Sequence, residues 1–382
     1  MDIQYCFASP GEDSILTDEE LKQPFIESPG KIRDELSLGA YFQGLHGFLL
    51  HDNPCDFLEV IQKTIPTCTY INDIKRLIFR SEKHGAFYHI ASVEVFSGDK
   101  SVKLALSSAL TGPGKSCLEN DCRLLTHLLA GPGPHAVPEP YFFHTTSVTA
   151  SGGKIEMAVA LLEWFEGFHE WHLSEMSENG QRGICVWDMQ AGSYHLSNSL
   201  GEQLIGKISE VLAQYYNPHT AQQIHPWHHA AGDFIVRIVD EEVTVKLITV
   251  RGYQPLASAD ERGSVSWVAN MIRFFLHVSV WIRLDKLDGV GRTVWLDDVF
   301  VKPFIDGFFA SYSRKFEQGS VSLAVNDYVH ILKLFDHAEL LAMCEPLLAL
   351  YKDEAEADYK IISREMSAHL RILHLELQKL RS

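Results

Sequence analysis

Residues 74–106 read IKRLIFRSEKHGAFYHIASVEVFSGDKSVKLAL. Three runs within it, Ile74–Arg80, Phe87–Phe96 and Ser101–Leu106, are rich in β-branched and aromatic residues at a period near two. That pattern marks strands with one face turned to a core. Between them lie Glu82-Lys83-His84-Gly85 and Ser97-Gly98-Asp99-Lys100, turn sequences in which glycine reverses the chain at little steric cost. The stretch predicts a three-stranded antiparallel meander.

On its C-terminal side, a Gly-Pro-Gly break (Gly112–Gly114) precedes a predicted helix around Ser116–Leu129, which Gly131-Pro-Gly-Pro134 ends. Tyr141–Thr146 and Lys154–Leu162 read as two further strands. After Glu163 the pattern becomes helical, with Leu204, Ile205, Ile208, Val211 and Leu212 on one stripe. Phe234–Val239 and Val243–Val250, separated by Asp240-Glu241-Glu242, suit a hairpin. The remainder from Ser264 is expected to be helical. On its N-terminal side, residues 1–70 are expected to form an extension of short helices. Thr17-Asp-Glu-Glu20 has capping-box spacing, and Asp56–Thr64 has helical periodicity. The expected class is therefore α+β: an N-terminal helical extension (1–70), a small β-rich lobe (71–165) and a larger, mainly helical lobe (166–382).

Charge and composition narrow the function classes. The chain of 382 residues carries 33 Lys+Arg against 50 Asp+Glu, a formal charge of −17. No run of basic residues offers the stripe that nucleic-acid binding needs. The seven cysteines are scattered and lack any CxxC pair, which argues for free thiols in a reducing cytoplasm over a disulfide framework or structural zinc. The first residues, MDIQYCFASPGEDS, have no basic and apolar regions of a signal peptide. The most apolar run, Met271–Trp281, carries Arg273 and His277 and is too short to span a bilayer. Met366, Leu370, Leu373, Leu377 and Leu380 form a heptad seam. Docking on the chain's own core is its expected use, and a homodimer through this helix is the alternative.

The order of elements, with several local sequences, resembles the aminoglycoside/choline kinase branch of the kinase fold over residues 70–340. The resemblance rests on Lys103 in Ser101-Val-Lys-Leu-Ala-Leu106, on Asp121 and Glu119 in the following helix, and on Leu161–Gly167 as the stretch between lobes. The most distinctive segment is Ile224-His-Pro-Trp-His-His-Ala-Ala-Gly-Asp-Phe-Ile-Val236. It is similar to the family's catalytic loop HxDxxxxN and its following strand. The resemblance implies a two-lobed kinase-like fold and phosphoryl transfer from ATP to a small-molecule hydroxyl, with Mg²⁺. Lys103 would hold phosphates and Asp121 or Glu119 would orient it. Glu163 would lie at the nucleotide, Asp233 would bind Mg²⁺, and His228 would stand where the family has its catalytic Asp.

The departures are specific. Pro226 replaces the loop's first His, and His228 supplies no fixed negative charge. Thr249, Val250 or Arg251 falls where a second metal-binding Asp belongs, and none of these is a good Mg²⁺ ligand. Two alternatives to an active phosphotransferase follow. One is a pseudokinase that binds a small molecule or nucleotide without phosphoryl transfer. The other is a metal-dependent hydrolase using the 225–233 loop, with His225, His228, His229 and Asp233 as its metal-ligand residue types. Other catalytic templates, GxSxG, GxxxxGK[ST], GxGxxG and HExxH, are absent.

Overall fold

The computed structural model describes residues 1–382 except 10, 12, 29–30, 85–86, 132, 134, 177–181, 227–228, 257–266 and 381–382. The chain is α+β and divides into two compact units. The first comprises Met1–Ala130, Pro138–Glu166 and Met189–Ala191; the second comprises Gly131–Val137, Gly167–Asp188 and Gly192–Ser382.

The first unit is built on a seven-stranded sheet. The predicted meander forms its centre, as strands Arg76–His84, His89–Ser97 and Lys100–Ala109. The helix Gly112–Leu129 follows, capped by the Thr111 side chain. The strand Gly153–Glu163 then inserts beside Lys100–Ala109, and Pro140–Ala150 lies outside it. Strand alternation gives the sheet two distinct faces. Leu104, Leu106, Val159 and Leu161 enter the core cluster on one face. The other face carries the helix Gly112–Leu129, whose Lys115 pairs with Glu156 at 2.7 Å.

Residues 1–70 depart from the expected helical extension. Asp2–Phe7 is a strand, parallel to Arg76–His84 in the same sheet, and Pro24–Ser28 pairs with Lys31–Ser37. Ile3 and Tyr5 alone alternate towards the core, too short a pattern to mark a strand, and pairing with Arg76–His84 realises it. The expected capping box is present: Glu20 N–H donates to Thr17 Oγ1 at 3.3 Å, and Thr17 N–H donates to Glu20 Oε2 at 2.8 Å. Helices Leu38–Gly47 and Pro54–Thr64 bury Tyr41, Phe42, Phe57 and Ile61 in the core that Leu104 and Leu106 share.

The second unit begins with a second departure. Glu170–Glu175, Arg182–Trp187 and Tyr194–His195 form a small antiparallel sheet where helix was expected. Trp171, Leu173, Ile184 and Val186 alternate into its buried face, a period of two hidden in the sequence by flanking polar residues. Helix Asn198–Tyr215 follows, and then the hairpin Phe234–Val239/Glu242–Leu247, turned by Asp240 and Glu241 at φ of 50° and 62°. From Trp267 the chain is mainly helical, interrupted by the hairpin Leu284–Lys286/Thr293–Trp295. The C-terminal helix Glu356–Lys379 buries Met366, Leu370, Leu373 and Leu377 against the chain's own helices. The seam considered for a homodimer is therefore occupied within the chain. No helix among the described residues is long and apolar enough to cross a membrane.

Helices Asn198–Tyr215 and Val301–Glu317 cross with their backbones nearly touching. A Cβ on Gly307 would lie 2.0 Å from the Gly206 carbonyl oxygen, so the helices would have to separate to accommodate it. Gly307→Ala is expected to destabilise the chain by about 1–3 kcal/mol. Gly152→Ala, with open space at its Cβ, is expected to stay within about 0.5 kcal/mol. Urea unfolding of the two variants checks the contrast.

Candidate functional site

The 224–236 segment lies wholly in the second unit. Gln223–Ile224 pairs with Tyr253–Gln254, and His225 N–H donates to the Gly252 carbonyl at 3.1 Å. A Cβ on residue 252 would come within 2.3 Å of the His225 carbonyl oxygen, so this crossing requires glycine. A short helix, Ala230–Asp233, then delivers the chain into the Phe234–Val239 strand.

Asp233 is fully buried. Its Oδ2 accepts a hydrogen bond from Arg251 Nη1 at 2.8 Å. Its backbone is held as well: Asp233 N–H donates to the His229 carbonyl at 3.1 Å, and Ile248 N–H donates to the Asp233 carbonyl at 2.8 Å. Arg251 comes from the chain leaving the hairpin, the same place at which the resemblance calls for a second metal-binding acid. A guanidinium thus faces the one remaining carboxylate.

His229 is buried, and its Nε2 donates to Asp358 Oδ2 at 3.0 Å. Asp358 opens the C-terminal helix, and its Oδ1 accepts from Thr293 Oγ1 at 2.7 Å, with Lys286 Nζ at 3.6 Å. Burial alone would raise the Asp358 pKa. The hydrogen bonds from His229 and Thr293, with the charges of His229 and Lys286, outweigh burial and bring it down to about 2. His225 faces a different group. Its ring stands edge-on to His277 at 5.4 Å, and His277 Nδ1 lies 2.8 Å from the Tyr351 hydroxyl. Burial pushes His225 down to about 4. His277 sits well below its usual value, through burial and then through His225.

The described members of the expected metal set, His225, His229 and Asp233, therefore serve His277, Asp358 and Arg251 respectively. No group of three His, Cys, Asp or Glu residues suited to a metal occurs among the described residues. The expected base, His228, lies outside the described residues.

In the first unit, Lys103 lies on the third strand of the meander, on the face that bears the helix Gly112–Leu129. Its Nζ pairs with Glu82 at 2.8 Å and sits 3.9 Å over the Trp164 ring. Glu82 also accepts from Ser92 Oγ at 2.6 Å. The acids expected to orient Lys103 are engaged otherwise. Asp121 is buried and accepts from the Tyr88 hydroxyl at 2.8 Å, whereas Glu119 is exposed. Glu163 accepts from Glu139 N–H at 3.2 Å, tying the end of its strand to the start of the neighbouring one.

Glu82, Trp164, Arg251 and Asp358 are thus site residues that the sequence reading did not assign. Glu82 and Trp164 carried a faint signal: Glu82 belongs to the same meander as Lys103, and Trp164 directly follows Glu163. Asp358 carried none, being 129 residues from His229. A scan against protein-family models finds no match to this chain, and neither does a search of curated proteins.

His225 and His277 are neutral when folded and take up protons on unfolding below pH 6.5. The unfolded chain then binds more protons than the folded one, so stability falls as pH falls from about 6.5 towards 4. Full titration of His225 across that window corresponds to about 3 kcal/mol. His225→Gln is expected to flatten this dependence by part of that amount, read from urea midpoints at pH 7.0 and 4.5.

Proposed function

We propose that this chain is a kinase-like protein of the aminoglycoside/choline kinase type that binds a nucleotide or related small molecule without transferring a phosphoryl group. Two features of the first unit support the kinase-like part. The meander, helix and two further strands follow in the order that the resemblance implies, with the last strand seated beside the third. Lys103 lies on that third strand, on the face that bears the helix.

The observation that carries the loss of transfer is the 2.8 Å ion pair between Asp233 and Arg251. Mg²⁺ is held by carboxylate oxygens and waters around a near-octahedral centre. A guanidinium on Asp233 Oδ2 supplies positive charge where the metal would, and it cannot lose its proton. Bringing Mg²⁺ to Asp233 requires displacing Arg251 from a buried carboxylate, which is costly. Lys103 fits the same reading, because Glu82 and Trp164 hold its ammonium as a fixed positive group to which an anionic ligand adds.

Calorimetric titration with ATP tests the proposal. Binding is expected to be the same within about twofold with and without Mg²⁺, and no ATP hydrolysis or phosphoryl transfer is expected. Lys103→Ala is expected to weaken binding by about tenfold, the worth of one charge-assisted hydrogen bond. Binding that requires Mg²⁺, or turnover that Asp233→Asn abolishes, would overturn it.

A further inference from the structure

The second unit contains an open groove of about 560 Å³ that the kinase reading does not use. Three elements form it: the Arg182–Trp187 strand, the segment 292–298 around the Thr293–Trp295 strand, and the first turns of the C-terminal helix Glu356–Lys379. Eight charged residues line it. Five are basic (Arg182, Arg283, Arg292, Lys360 and Arg364) and three acidic (Asp297, Asp298 and Glu365). Five minus three leaves +2, in a chain whose formal charge is −17.

The distribution of ion pairs sharpens this. Arg283 is buried and fully committed: Nη2 donates to Asp298 at 2.7 Å, Nε to the Leu296 carbonyl at 2.8 Å, and Nη1 lies 3.1 Å from His369. Its guanidinium also stacks on Trp295 at 5.0 Å, forming part of the wall. Arg364 pairs with Glu365 at 2.7 Å. Arg182, Arg292 and Lys360 have no ion pair among the described residues, and Asp297 is the one lining acid there without one. Three uncommitted cations from three separate elements thus converge on one concavity. Scattered surface cations need no explanation. Convergence in a groove is different, because like charges brought together repel, and an anion placed among them removes that cost.

We propose that this groove is a binding site for a polyphosphorylated small molecule. Its volume falls in the range of small-molecule sites, roughly 300–1,000 Å³. Two arginines offer planar forks that match phosphate oxygens, and Lys360 adds a point charge. The partly exposed Trp295 offers an apolar face beside the phosphates. The site shares no lining residue with Lys103 or Asp233 and does not rest on the nucleotide reading.

The test is calorimetric titration of the intact chain with inorganic tripolyphosphate, in 50 mM and 200 mM salt. Saturable binding is expected, weaker at the higher salt. The double variant Arg292→Gln/Lys360→Gln is expected to bind at least about tenfold more weakly and to show a shallower salt dependence. Both positions are exposed, and far-UV circular dichroism confirms that the variant is folded. In Lys103→Ala, where the phosphate contact proposed above is removed, saturable tripolyphosphate binding is expected to remain, which separates this site from the ATP titration above. Absence of binding, equal affinity in the double variant, or loss of binding in Lys103→Ala would overturn the assignment. So would an Asp/Glu-rich peptide that binds the groove and is not displaced by tripolyphosphate.

Discussion

Removing a carboxylate from water is among the costliest steps a folding chain can take, and Asp233 takes it completely. The arrangement around it follows from that cost. Arg251 must reach Asp233 Oδ2, so the chain leaving the Phe234–Val239/Glu242–Leu247 hairpin must turn back beside the loop that precedes it. That return is secured by Ile248 N–H on the Asp233 carbonyl and by His225 N–H on the Gly252 carbonyl. It brings residue 252 so close to His225 that only glycine fits. The ion pair, the hairpin and the glycine thus form one constraint. A buried pair of this kind adds little net stability, but loss of either partner leaves an uncompensated charge.

The local elements of the first unit were readable because its strands alternate cleanly. Leu77, Phe79, Val93, Val95, Leu104 and Leu106 all face the core, and their period of two is visible in the sequence. The helix Gly112–Leu129 was readable from its glycine and proline borders. The strand Asp2–Phe7 was not, because it exists by pairing with Arg76–His84, some seventy residues away. The sheet of Glu170–Glu175 and Arg182–Trp187 was missed for a related reason. Each strand is six residues long, too short for its alternation to stand out from its surroundings.

The site was legible in part, and the limit is physical. Sequence placed Lys103 on the third strand and Asp233 before an apolar strand, because both positions follow from local pattern. It could not supply their partners. Lys103 meets Glu82 across the intervening strand His89–Ser97, and Trp164 through the residue that follows the neighbouring strand Gly153–Glu163. Both follow from geometry that exists only once the sheet has formed. Arg251 was noted for what it was not, a metal-binding acid. Its role as the counter-ion of Asp233 became apparent only from the fold.

Asp358 links the loop to a more distant part of the second unit. One oxygen accepts from His229, which begins the short helix carrying Asp233, and the other accepts from Thr293 in the Leu284–Lys286/Thr293–Trp295 hairpin. A single carboxylate therefore supports two segments of chain that are otherwise unrelated in sequence. Its low pKa, about 2, keeps it charged at neutral and mildly acid pH, so the link does not loosen there. Thr293 also lines the basic groove. The residue that orients a hydroxyl at the groove thus also holds the histidine beside Asp233. In a chain as acidic as this one, the few places where arginine and lysine outnumber their partners are where an anion is best accommodated. The groove of Arg182, Arg292 and Lys360 is such a place, and Asp358 gives it a fixed connection to the loop.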